Sequence, residues 1–173
     1  HENDFNKIWQ WSVDNPNIFW KSIWEFTKVK GILGDALFQK SDIFFKNKFF
    51  PDAKLNYAQN LLKKNNNETA IIFKSENGYK NNLSWKNLNS NVAKISTWMK
   101  ENGVKKYDRV AGYLPNIPEA VIAYISTTAL GAVWSSCSPD FGTNGVIDRF
   151  SQISPKILFI GDKYFYNGKK INI

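Results

Sequence analysis

The chain has 173 residues, 43% hydrophobic and 22% charged, ordinary globular usage that excludes a disordered tail or a collagen-like chain and gives room for one domain with a small attachment. Its net charge is +8, but only Arg109 and Arg149 among the 23 cationic residues are arginine; the lysines fall in scattered pairs such as Lys63-Lys64, Lys105-Lys106 and Lys169-Lys170, so the charge reads as a solvated surface and no nucleic-acid partner is expected. Cys137 is the single cysteine and His1 the single histidine, which excludes a disulfide scaffold, a Cys/His zinc site and a Ser-His-Asp triad.

The first fifty residues are crowded with aromatics, from Phe5, Trp9 and Trp11 to Phe44, Phe45, Phe49 and Phe50. Over 16–28, Phe19, Trp20, Ile23, Trp24 and Phe26 recur at near-helical spacing, with Pro16 suited to the first turn. So heavy an apolar face reads as a helical lid packed on a neighbouring domain, with a base-stacking surface as the alternative. Residues 42–60 read mostly as loop, and the polar run 63–68 as a surface linker. These features predict a cap segment over 1–62 and a second region over 63–173.

Strands and helices alternate after the linker. Residues 69–73 and 82–85, joined by the Glu76-Asn77-Gly78 turn, predict a hairpin. Ser84 is a fair N-cap for a helix whose Leu88, Val92, Ile95 and Met99 share one face until Asn102-Gly103 ends it. A buried strand at 109–114 follows, then a helix opened by Ile117-Pro118-Glu119 and ended near Leu130, a short strand at 132–135, a loop through Cys137-Ser138-Pro139, a helix over 144–153 and a strand at 156–160. The order β-α-β-α-β predicts an α/β fold: a parallel sheet with helices on its faces and right-handed crossovers. The longest apolar-leaning stretch, 117–134, is interrupted by Pro118, Glu119, Ser126, Thr127 and Thr128, so no membrane span and no membrane partner are expected. With no secretory signal at the start, the expected compartment is the cytoplasm. The opening on His1 rather than Met reads as the mark of a fragment.

Ligands of open α/β sheets collect beyond the carboxyl ends of the strands. Three segments lie there: Pro115-Asn116-Ile117, Ser135-Ser136-Cys137-Ser138-Pro139, and 161–170. No Walker phosphate loop and no G-x-G-x-x-G fingerprint occurs in the chain, so it holds no complete active site. Ser135, Ser136 and Ser138 either let a ligand approach closely or form a polar loop capping the next helix. Cys137, with no histidine to activate it, reads as a structural thiol, and Asp140 as a turn residue. Lys169 and Lys170 follow the Asn167-Gly168 turn signal and are expected to project from a loop, solvated or facing an anionic ligand.

On these segments the chain resembles the acetoacetyl-CoA synthetases. Phe50-Pro51-Asp52-Ala53-Lys54-Leu55-Asn56-Tyr57-Ala58-Gln59-Asn60-Leu61-Leu62 is similar to their FP-x-A-x-LNYA-x-NLL signature. So are Ser135-Ser136-Cys137-Ser138-Pro139-Asp140-Phe141-Gly142, Val146-Ile147-Asp148-Arg149-Phe150, Pro155-Lys156-Ile157-Leu158-Phe159 and Tyr164-Phe165-Tyr166-Asn167-Gly168-Lys169. Asp108-Arg109-Val110 and Leu114 to Ala120 resemble segments shared more widely by adenylate-forming acyl-CoA synthetases, with Tyr107 standing where that wider group often has Gly.

The resemblance implies an ATP-dependent ligase that uses Mg²⁺, joins acetoacetate to ATP as an acyl-adenylate with release of pyrophosphate, and then passes the acyl group to coenzyme A with release of AMP. It further implies that the phosphate loop, the catalytic residues and the C-terminal domain belong to a remainder of the same polypeptide, so that this stretch is the cap and the first part of the adenylating domain, inactive alone. No catalytic residue and no metal ligand is expected within it. By the same carry-over Ser135 and Ser136 line the path of the thiol, Lys169 pairs with a phosphate of coenzyme A and Tyr166 stacks on or borders its adenine, Tyr166 and Lys169 standing where relatives often have arginine. The rival readings are a ligase for another short acid, such as acetate or propionate, and a non-catalytic basic binding module.

Overall fold

The computed structural model describes residues 4–173, so His1, and any role for the single histidine, lies outside the described residues. The chain divides into two compact units, His1–Asn56 and Tyr57–Ile173. Ala58, near the start of the second unit, is buried among Leu88, Val92, Ile122 and Ile125.

The first unit opens with α1 (Phe5–Asp14), capped by the Asp4 carboxylate accepting from the Asn6 amide at 2.9 Å, and α2 (Pro16–Phe26), with Pro16 in its first turn. Four two-residue strands follow, β1 (Gly31–Ile32), β2 (Phe38–Gln39), β3 (Lys48–Phe49) and β4 (Lys54–Leu55), with a 3₁₀ turn at Phe44–Lys46. Antiparallel pairing joins β1 to β4 and β2 to β3. The stretch expected as loop thus carries strand β3, strand β4 and the start of a helix; isolated two-residue ladders leave too little alternation to read in the sequence. Edge-to-face aromatic contacts, Trp20 with Phe49 at 5.5 Å and Phe19 with Trp20 at 5.2 Å, hold the unit together.

The second unit begins with α3 (Tyr57–Leu61) and, after half-buried Leu62, the exposed run 63–68, where Lys64 and Glu68 pair at 2.8 Å. Strands β5 (Thr69–Lys74) and β6 (Lys80–Ser84) form the expected antiparallel hairpin. Helix α4 (Trp85–Glu101) is capped as its sequence predicts, the Ser84 hydroxyl accepting from the Asn87 amide at 3.2 Å, with Leu88, Val92 and Met99 buried. Then come β7 (Arg109–Tyr113), α5 (Pro118–Ala129), β8 (Val133–Cys137), a 3₁₀ turn at Pro139–Phe141, α6 (Gly142–Ser151), β9 (Ile157–Ile160) and an antiparallel hairpin of β10 (Lys163–Tyr166) and β11 (Lys169–Asn172).

Strands β8, β7 and β9 form a parallel sheet in that order, with Arg109 opposite Val133 and Val110 opposite Ile157. The strand period of two sorts the core onto two faces. Val110 packs with Met99, Trp134 and Phe159 on the α4 face, while Ala111, Tyr113 and Cys137 pack with Val146 and Phe150 of α6 on the other. The α/β expectation holds, with helices on both faces. Gly112 is required by close approach: a Cβ there would stand 2.5 Å from the Trp134 ring, which lies across the strand.

Two segments differ from the sequence reading. Strand β8 runs on through Cys137, past the expected end at Ser135, so Ser136 and Cys137 are strand and not loop. The run 161–170 is mostly hairpin, with Lys169 and Lys170 in β11; Asn167 and Gly168 have φ of 50° and 71°, the left-handed pair that a two-residue hairpin turn demands.

Candidate functional site

Because β7, β8 and β9 are parallel, their carboxyl ends share one edge of the sheet. The chain leaves β7 for β8 on one side and then crosses to β9 on the other, so a crevice opens at the end of the central strand. A cleft of about 570 Å³ lies there. Its walls are the β5–β6 turn with Glu76 and Tyr79, the segment Pro115 to Glu119 after β7, Ser138 to Asp140 after β8, and Asp162 to Tyr166. A second cavity of about 280 Å³ is lined by Trp134, Ser136, Cys137 and Ser138, and shares Pro115, Asn116, Ser138 and Pro139 with the first.

Hydrogen bonds fix the wall between them. Tyr113, the last residue of β7, donates its hydroxyl to the Pro139 carbonyl at 2.9 Å. Ser138 donates to one Asp140 oxygen at 2.9 Å, and Tyr164 of β10 donates to the other at 2.7 Å. The Tyr164 and Ser138 hydroxyls hold the Asp140 carboxyl below its ordinary range, and the same bond pushes the Tyr164 hydroxyl up to about 12. At the tip of the second hairpin the Gly168 amide donates to Glu76 at 3.4 Å.

The four residues singled out from the sequence fall in different places. Tyr166 lines the large cleft, 59% exposed, and Lys169 is its cross-strand partner beside the turn, exposed and outside the cleft lining. Ser136 lines the smaller cavity. Ser135, half-buried and paired with Ala111, sits on the α6 face with Cys137. Adjacent residues of a strand point to opposite faces, so the two serines project to different sides of β8; Ser136 is among the residues lining the smaller cavity and Ser135 is not. Sequence reasoning missed Tyr164 as a partner of Asp140, since 24 residues separate them and no spacing rule links a turn to a later strand.

The donor set limits what this stretch holds by itself. No cluster of three His, Cys, Asp or Glu side chains suited to a metal exists among the described residues, so no Mg²⁺ site is assigned. The cleft lining carries Lys74 and Lys163 against Glu76, Glu119, Asp140 and Asp162, a poor cradle for a triphosphate. The exposed Lys169 and Tyr166 remain suited to one phosphate and one base at the rim.

Comparison with known proteins decides the family. Residues 58–172 match the family model described as AMP-binding enzyme. The chain belongs to the AMP-binding enzyme family. Within it, the chain is similar to the acetoacetyl-coenzyme A synthetase of Rhizobium meliloti strain 1021, with 40% identity over 98% of this chain and 26% of the relative. It is 38% identical to the acetoacetyl-CoA synthetase of Gallus gallus, again over 98% of this chain and 26% of the relative. Among solved structures, the acetoacetyl-CoA synthetase from Streptomyces lividans superposes with a TM-score of 0.91 at 36% identity, over 99% of this chain and 27% of that one. The chain therefore spans about a quarter of the length of the AMP-binding relatives it matches. No helix among the described residues is long and apolar enough to cross a membrane.

Proposed function

We propose that this chain is part of a cytoplasmic acid-thiol ligase that uses ATP and Mg²⁺ to join acetoacetate to coenzyme A, releasing AMP and pyrophosphate. The observation that supports the reading most is likeness to acetoacetyl-CoA synthetases over nearly the whole chain, the SSCSPDFG run included. The free, buried thiol of Cys137 agrees with a reducing compartment. In this reading acetoacetate attacks the α-phosphorus of ATP and expels pyrophosphate; the thiol sulfur of coenzyme A then attacks the acyl carbon and expels AMP. This stretch supplies part of the binding surface for coenzyme A and no reacting group, and the assignments 1–62 as cap and 63–173 as the start of the adenylating domain go with it.

The individual roles follow from position. Lys169, beside a rigid two-residue turn, offers a point charge to a phosphate without having to be ordered from a long loop. Tyr166, its cross-strand neighbour, presents a ring to the adenine. Ser135 and Ser136 of β8 border the passage for the thiol arm, Ser136 lining the smaller cavity. The test is a steady-state assay of the full-length protein. Lys169→Glu should raise the KM for coenzyme A on the order of tenfold, about 1.4 kcal/mol, while acetoacetate-dependent exchange of pyrophosphate into ATP stays intact. Unchanged coenzyme A kinetics would overturn the assignment.

A further inference from the structure

We propose that Asp140 and Tyr164 are positioning residues for transfer of the acyl group to the thiol: together they clamp the segment after β8 to strand β10 and so fix the wall between the two cavities. The proposal rests on the ligase reading above and adds to it two residues that touch neither reacting atom.

The geometry carries the argument. The two oxygens of Asp140 are engaged in different directions, Oδ1 by Tyr164 at 2.7 Å and Oδ2 by Ser138 at 2.9 Å. From beneath, Tyr113 pins the neighbouring Pro139 carbonyl at 2.9 Å. The segment so held, Ser138 and Pro139, is wall to both cavities. Tyr164 and Tyr166 line the larger one from the same short strand. The clamp therefore sets the spacing between the residue proposed for the adenine and the residue proposed for the thiol arm.

Its importance as a stabilising contact is small, because Asp140 is exposed and water competes for both bonds. Its importance for geometry is larger: a misplacement of about 1 Å in a positioned ligand reduces rate on the order of a hundredfold. A purely structural role and a positioning role thus make opposite forecasts, since the first lowers stability and both half-reactions together and the second lowers only thiol transfer.

The experiment uses the full-length protein, with Tyr164→Phe to delete one hydroxyl, Asp140→Ala to delete the acceptor and Asp140→Asn to keep an oxygen facing Tyr164. Expected are a fall of about tenfold in kcat/KM for coenzyme A in Tyr164→Phe and Asp140→Ala, less than twofold change in acetoacetate-dependent pyrophosphate exchange, and recovery to within about threefold of the wild type in Asp140→Asn. The Tyr164→Phe/Asp140→Ala double variant should be no worse than either single one, the signature of a shared interaction. Wild-type coenzyme A kinetics in Tyr164→Phe, or an equal fall in both half-reactions, would overturn the clamp alone. A wild-type protein that forms no acetoacetyl-CoA would overturn the ligase reading beneath it.

Discussion

The two units of the chain solve the problem of burying apolar mass in opposite ways. Among the described residues of the first unit none is buried, and Phe5, Phe26, Phe44 and Phe45 are each more than three-quarters exposed. The second unit encloses three clusters, with Met99, Val110 and Ile125 at 1% exposure or less. Aromatic content is thus no measure of core. Two-residue strands give the first unit few neighbours to enclose its rings, whereas each helix of the second lays a continuous stripe against a sheet or another helix. Within this stretch, about a quarter of its relatives' length, layers rather than hydrophobic residues as such make the interior.

The comparison is sharpened most by a large-to-small change in the second unit. Ile125→Ala should reduce the unfolding free energy by about 3 kcal/mol, read by chemical denaturation. A left-handed residue separates the units further. Tyr107, with φ of 70°, has a ring 69% exposed that meets the Lys106 ammonium at 4.8 Å, a weak surface contact, so Tyr107→Gly should stabilise by about 1 kcal/mol. Phe50 of the first unit, at φ of 46°, packs its ring against Trp24 at 5.3 Å, tilted by 54°, and the same replacement there should destabilise. A subtler effect belongs to acid. The Lys105 amide and the Lys156 ammonium hold the Asp108 carboxyl below its ordinary range, so its contribution is present above the unfolded value of about 3.9 and is lost as pH falls through the lower folded one. Asp108→Asn should therefore flatten the acid limb of a stability-against-pH curve while leaving the alkaline limb alone. The smallest effect is Phe44→Ser, expected within about 0.5 kcal/mol by the same denaturation assay; a loss of 2 kcal/mol or more would show that the first unit has an interior after all.

What could be read from the sequence follows the same division. Helix α4 announced itself through the Ser84 cap, the Leu88, Val92, Ile95 and Met99 face and the Gly103 stop, because helical order is written in residues three and four apart. The parallel strands were legible as short apolar runs between helices. The β10–β11 hairpin was signalled by Asn167-Gly168, yet the tyrosines and lysines on either side lack the apolar alternation that marks a half-buried strand, so the stretch read as loop. The end of β8 was obscured in the same manner: Ser136 and Cys137 look like loop residues, and only pairing with Gly112 and Tyr113 makes them strand. Tyr166 and Lys169, named from the resemblance, are cross-strand partners in the hairpin. The Asp140–Tyr164 bond was out of reach, since it joins segments brought near only by the crossover to β9.

Strand β7 is the only one of the three parallel strands bonded on both sides. Its amides are shared between two ladders, so no fraying of a single neighbour frees them, and hydrogen exchange there should report the slowest opening of the unit. The segment after Tyr113 hangs from this least yielding backbone. The floor of the cleft is thereby held by two ladders, and its wall after β8 by the Tyr113–Pro139 and Tyr164–Asp140 bonds.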